Sequence, residues 1–204
     1  LNKSDILKLG NVKKKISFFK NKKSLKIINL GRFTDQKNQL LLLKSIKYLN
    51  NSIPVKLIIA GRGVNYKNLK NYINHNRLKK NVLLINFLAN PYPFLKQADV
   101  FVLSSNYEGL PNVLLEAQCF KKLIISTKCP TGPKEILLNG KAGIFFKMND
   151  YKDLSKKIIY VYKNKNKFNN MIKIGYDNLY RFDGKKNLNM YYKVISKYIK
   201  NEKN

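Results

Sequence analysis

The stretch DVFVLSSNYEGLPNVLLEA, residues 99–117, holds a complete folding unit. DVFVLSS (99–105) is almost continuously apolar, as a strand buried on both faces requires. Gly109 and Pro111 then mark a turn, with Pro111 suited to the first turn of a helix. NVLLEAQCF (112–120) has helical composition. Strand, turn and helix in that order predict one βα unit of a parallel sheet. Two carboxylates sit on the unit: Glu108 just past the strand and Glu116 a turn into the helix.

The same alternation runs outward in both directions. LKIINL (25–30), VKLIIA (55–60), NVLLINFL (81–88), KLIIST (122–127) and GIFF (143–146) read as further strands. QLLLLKSIKYL (39–49), NYKNLKNYINHNRL (65–78) and a short helix in PYPFLKQA (91–98) separate them. DYKDLSKKIIYVYK (150–163), a stretch near 166–180 and NLNMYYKVISKYI (187–199) close the chain as helices. The fold class is α/β, a doubly wound, Rossmann-like parallel sheet. Residues 1–24 read as a linker or N-terminal extension, 25–182 as the domain and 183–204 as a C-terminal helix. Right-handed crossovers put the loops at 31–37, 61–66, 87–91, 104–112 and 127–135 on one rim, where ligands of such sheets bind.

Composition narrows the function classes. The 204 residues suit one domain with a full core. Two cysteines, Cys119 and Cys129, fit neither a disulfide framework nor a metal spacing, so a reducing cytoplasm is the expected compartment. The single His75 excludes a histidine-built metal site. No apolar run approaches the roughly 18 residues of a membrane span. The formal charge is +30, yet only four of the 41 basic residues are arginine. Lysine scattered among Asn and Ile points to compositional bias, with attraction to anionic lipid as the alternative. Nucleic acid is not an expected partner, since scattered lysine gives affinity without readout.

The rim loops carry the candidate chemistry. In GRFTDQKNQ (31–39), Gly31 permits a tight turn, Arg32 offers a planar fork of donors and Lys37 stands near the next helix. Together they suit a diphosphate, although a solvated loop in a lysine-rich chain would read alike. AGRGVNYKNL (60–69) lacks the third glycine of a dinucleotide fingerprint, and no acidic residue ends the following strand. Gly61 and Gly63 either bring backbone close to a ligand or start the helix. Glu108 and Glu116 are acceptors suited to vicinal hydroxyls, beside a helix start whose free N–H groups, including that of Asn112, favour phosphate. A catalytic acid/base pair and two merely solvated charges are the other readings.

The ordered set NLGRFTDQKN, LIIAGRG, NVLLINFLAN, ADVFVLSSNYEGLPNVLLEA, STKCPTGPKEIL and GKAGIFF resembles the C-terminal, donor-binding half of family 4 glycosyltransferases, retaining enzymes of the GT-B architecture. The resemblance spans about residues 25–165 and rests on the E-x7-E pair with GR-x4-K upstream and GPKEIL downstream. It implies that Arg32 and Lys37 neutralise the donor diphosphate, Glu108 contacts the transferred sugar and Glu116 binds the ribose. It further implies that Gly109, Leu110 and Asn112 line sugar and phosphates, and that Phe87, Leu88 and Ala89 meet the base. No cofactor or essential metal is implied. The expected partners are a nucleotide-sugar donor and a glycan or lipid-linked acceptor. The form LPN followed by CPTGPKEIL is similar to enzymes building cell-surface glycans from UDP-activated hexoses or N-acetylhexosamines.

There are departures. Leu110, Pro111 and Asn112 stand where many members have Phe-Gly-Leu, and Pro111 has no N–H to donate. QCFKKLII replaces a commoner Gly-x-Pro before the fifth strand, which is expected to alter only that turn. The N-terminal acceptor half is absent from these residues, and a fragment, a split gene product completed in trans and a truncated gene are equally open. A non-catalytic nucleotide-sugar or partner-binding module, and a basic peripheral membrane- or nucleic-acid-binding module, are the alternative functions.

Overall fold

The structure, a computed structural model, describes residues 1–49 and 52–201. Its sheet contains β1 (Leu25–Leu30), β2 (Val55–Ala60), β3 (Val82–Ile85), β4 (Val100–Leu103), β5 (Leu123–Thr127) and β6 (Ile144–Phe146). All pair in parallel, in the order β3-β2-β1-β4-β5-β6. The helices are α1 (Lys3–Gly10), α2 (Gln39–Leu49), α3 (Tyr66–His75), α4 (Tyr92–Gln97), α5 (Asn112–Cys119), α6 (Gly132–Ile136), α7 (Tyr151–Lys163), α8 (Asn169–Asp177) and α9 (Gly184–Asn201).

Strand periodicity explains why the strands read as unbroken apolar runs. Ile27, Leu57, Ile59, Val102 and Ile125 join Leu42, Ile46, Leu69 and Ile158 in one core layer. Their alternates Ile28, Ile58, Phe101, Leu103 and Ile124 join Leu95, Leu114 and Leu115 in the other. Both faces are therefore covered, and each of these side chains contributes roughly 1.5–3 kcal/mol by leaving water. Among the described residues no helix is long and apolar enough to cross a membrane.

Several boundaries differ from expectation. Residues 1–24, expected as a linker or extension, lie against the domain. Ile6, Ile16 and Phe19 are buried in the second core layer. Gln97 accepts from Ile16 N at 3.2 Å and donates to Lys14 O at 2.6 Å, while Asn90 donates to Leu9 O at 2.9 Å. The lysines of this stretch mask its few well-placed apolar residues. The expected strand 81–88 pairs only over Val82–Ile85, which leaves 86–91 in the rim loop. The loop 127–135 contains α6, and the stretch 166–180 divides into α8 and flanking 3-10 turns. Within the expected 183–204 helix, residues 202–204 lie outside the described residues.

The QCFKKLII turn is held by two lysines. Lys121 adopts φ 53°, in the left-handed region. Lys122 Nζ donates to Lys96 O at 2.6 Å and Ala98 O at 2.8 Å, which satisfies carbonyls at the end of α4.

The sheet order reverses between β1 and β4, so a crevice is expected at their carboxyl ends. Backbone register there covers only Ile27↔Val100 and Ile28↔Phe101. Beyond it the Asn29 side chain bridges the gap, donating to Val102 O at 2.8 Å.

Candidate active site

The wall of the crevice after β1 is the loop 31–38. Phe33 plugs the core, and its N–H donates to Arg62 O at 2.9 Å. Asn65 N donates to Phe33 O at 3.0 Å, so this loop and the one after β2 form a single wall. The glycines of the second loop serve that contact. A Cβ on Gly61 would lie 1.9 Å from Gly31 O, and Gly63, at φ +153°, would place one 2.5 Å from Phe33 O. Neither reading offered for this pair, ligand approach or helix start, names this role. Gly31 itself lies outside the positive-φ region, and a Cβ there would only touch the Lys37 stem at 3.7 Å, so the turn expected at Gly31 does not require glycine.

The opposite wall follows β4 and is tied to the first by backbone. Asn106 N donates to Gln36 O at 2.8 Å, and Ser104 Oγ donates to Lys37 O at 2.8 Å. Lys37 Nζ then crosses to Glu108 Oε1 at 2.6 Å, and Ser105 Oγ donates to the same oxygen at 2.5 Å. Glu108 is buried, and among the described residues its second oxygen, Oε2, accepts nothing. Behind it Thr131 Oγ1 donates to Glu108 O at 2.7 Å, with Thr131 held at φ 127°. A Cβ on Gly132 would lie 1.8 Å from Gly109 O, so these two loops touch backbone to backbone.

Gly109 differs from both. Among the described residues other than its chain neighbours, no heavy atom lies within 4 Å of a Cβ built on it, so it faces open space beside the ion pair. Leu110 is exposed. Pro111 is the N-cap of α5, one position earlier than expected, and Asn112 is the first helical residue. The amides of Asn112 and Val113, at the start of α5, have no backbone acceptor among the described residues. Arg32 is exposed, and among the described residues its guanidinium has no ion-pair partner.

Glu116 lies half-buried on α5 against the start of α4. Burial pushes its carboxyl above the usual carboxylate range, and a hydrogen bond from the Tyr92 hydroxyl partly offsets the shift. The same burial, with Glu116 second, raises the Tyr92 phenol. In the loop after β3, Leu88 leans on the core, Ala89 is exposed and Phe87 is 60% exposed. The Arg62 guanidinium stands 5.5 Å from the Phe87 ring centroid. Arg62, Tyr92, Ser105 and Thr131 were not singled out in the sequence. Arginine is scarce in this chain, four of 41 basic residues, and that scarcity could have flagged Arg62. No local motif marks the other three.

The site thus has an anion-accepting wall (Arg32, Lys37, two free amides) beside carboxylates with acceptor capacity. The family model for glycosyl transferases group 1 matches residues 12–178. The chain is 45% identical over 117 residues to an uncharacterized glycosyltransferase of Methanocaldococcus jannaschii, covering 57% of this chain and 29% of that protein. It is 35% identical over 150 residues to an Escherichia coli UDP-Gal:alpha-D-GlcNAc-diphosphoundecaprenol alpha-1,3-galactosyltransferase, covering 69% of this chain and 37% of that one. Anabaena Alr3699/HepE, solved in complex with UDP-glucose, superposes with a TM-score of 0.80 at 19% identity, over 95% of this chain and 53% of its own. The shared fold is a Rossmann-like half of the GT-B kind. The chain spans about a third of the length of these curated relatives and about half of the solved structure.

Proposed function

The chain belongs to the group 1 glycosyltransferases, and from that premise we propose that it is the donor-binding half of a retaining enzyme that takes a hexose or N-acetylhexosamine from a UDP-linked donor. The acceptor in this reading is a glycan or a lipid-linked saccharide, in keeping with the acceptor named for the Escherichia coli relative. The observation that carries the proposal is the Lys37–Glu108 pair at the switch point, with Glu108 Oε2 unbonded among the described residues and open space at Gly109.

The donor diphosphate lies along the β1 wall, between Arg32, Lys37 and the amides at Asn112 and Val113. Lys37 neutralises Glu108 until the diphosphate arrives and then serves both anions. Glu108 accepts hydroxyl protons of the transferred sugar, with Gly109 and Leu110 lining that space. Glu116 accepts from the ribose, and Phe87, Leu88 and Ala89 border the base. When the anomeric C–O bond breaks, its electron pair passes to the diphosphate oxygen, where Arg32 and Lys37 stabilise the growing charge. The acceptor hydroxyl adds from the face that the diphosphate leaves, which retains configuration, and its proton passes to the departing phosphate.

The acceptor is positioned by an N-terminal half, in the same protein or in trans. The apolar side chains Leu188, Tyr191, Tyr192 and Ile195, exposed along α9, give that half a surface to cover. The reaction is placed on the cytoplasmic side, at or near an anionic membrane. The test supplies an upstream Rossmann half with this chain, a UDP-sugar and a lipid-linked acceptor, and reads the anomeric configuration of the product by NMR. An α product from an α donor supports the reading, and an inverted product overturns the retaining assignment.

A further inference from the structure

A cavity of about 920 Å³ opens at the opposite end of the sheet, where β2 begins and α2 and α3 end. Its floor is apolar: Ile46, Leu49, Ile53, Val55 and Leu78 are all buried core residues. Its rim carries four cations, Lys44, Lys47, Arg77 and Lys80, and among the described lining residues there is no carboxylate. The ion pairs among the described residues, Lys37–Glu108, Lys173–Asp177 and Arg181–Glu135, use none of them.

Three tyrosines complete the wall. Tyr48 and Tyr151 meet edge to face at 5.7 Å, and Tyr72 lines the same space. The wall is braced: Asn76 Nδ2 donates to Tyr72 O at 2.8 Å and Asn81 Nδ2 to Val55 O at 3.3 Å. Arg77 is held in the left-handed region at φ 54°, a conformation a bulky residue rarely adopts without cause.

Four cations and three tyrosines above an apolar floor, with no carboxylate among the described lining residues, fit an anion that carries an apolar chain. A free phosphate would leave the floor unused, and an apolar molecule would leave four cations unpaired. We propose that this cavity is a second binding site, for the phosphate headgroup and first carbons of an acidic lipid. The net charge of +30 brings the chain to an anionic surface, where each nearby Lys or Arg contributes about 1 kcal/mol. The cavity then seats one lipid. Tyrosine and lysine, apolar in body and polar at the tip, suit that boundary.

Calorimetric titration with a short-chain phosphatidylglycerol, kept below micelle formation, tests the site. Saturable binding is expected, weakened about tenfold or more in Arg77→Ala/Lys80→Ala, since a hydrogen bond to a charged group contributes about 1.5–3 kcal/mol. Tyr72→Ala, which removes no charge, should weaken it too. Lys156→Ala/Lys163→Ala on α7 should not, and UDP binding should survive in every variant as proof of folding. Equal affinity for inorganic phosphate would reduce the cavity to a free-anion seat and overturn the lipid assignment. Equal weakening by both lysine-bearing pairs, or no binding at all, would overturn it as well.

Discussion

Lys37 Nζ lies 2.6 Å from Glu108 Oε1, across the crevice where β1 and β4 part, with 16% and 5% of the two side chains exposed. Removing one partner of so dry a pair strands the other, which costs about 3–5 kcal/mol in comparable cases. Lys37→Met and Glu108→Gln should therefore each lower stability in urea denaturation. The double variant should lose clearly less than their sum. Strict additivity would show that the two do not interact in solution.

Three glycines on the rim should respond differently to one methyl group. Gly61→Ala and Gly132→Ala drive a carbon to within 2 Å of a carbonyl oxygen and should destabilise the chain by about 2 kcal/mol or more. Gly109→Ala meets nothing within 4 Å and should leave thermal unfolding within about 0.5 kcal/mol of the parent. Its UDP affinity should fall, because the methyl enters the proposed ligand space. A Gly109→Ala chain that binds UDP normally would remove Gly109 from the site.

Exposed cations separate binding from stability. Arg32→Ala should leave unfolding within about 0.5 kcal/mol, since no protein carboxylate is stranded. UDP affinity should fall about tenfold or more, by loss of charge-assisted bonds. Fluorescence-detected unfolding and competition binding, run on the same sample, check both.

Much of this arrangement was legible in the residues, and the remainder has a physical reason. The continuous apolar runs at 25–30, 55–60 and 99–105 announced strands buried on two faces, and the alternation fixed a parallel sheet. Arg32 and Lys37 stood out after the first strand, as did Glu108 after the fourth. Legibility failed where long-range contact decides. Gly61 and Gly132 are set by the approach of another loop's carbonyl, which no local pattern encodes. Ile6 and Phe19 were hidden by surrounding lysine. Tyr92 matters only because its ring reaches from the start of α4 to Glu116 and Phe120, far along the chain, and a cavity at the amino end of β2 leaves no motif.

Lys122 gives a pH signature. Burial lowers its amine from the ordinary 10.5 to about 8, against a smaller opposing pull from Asp99. Between those values the unfolded chain binds the extra proton and the folded chain does not, so this group adds stability as pH rises from about 8 to 10.5. Below about 8 its cost is fully present. Lys122→Met should flatten that slope relative to the parent in denaturation series across the window. A parallel pair of curves would show that the amine titrates normally.

The crevice between β1 and β4 is the proposed seat of a nucleoside diphosphate, with Arg32 at its phosphates and Glu116 at its ribose. Calorimetric titration of the chain with UDP tests it most directly. Saturable binding of one UDP per chain, weaker for uridine and lost or sharply reduced in Arg32→Ala and Glu116→Ala, is the predicted result. Absence of binding by UDP and GDP alike, or binding that neither substitution changes, would contradict it.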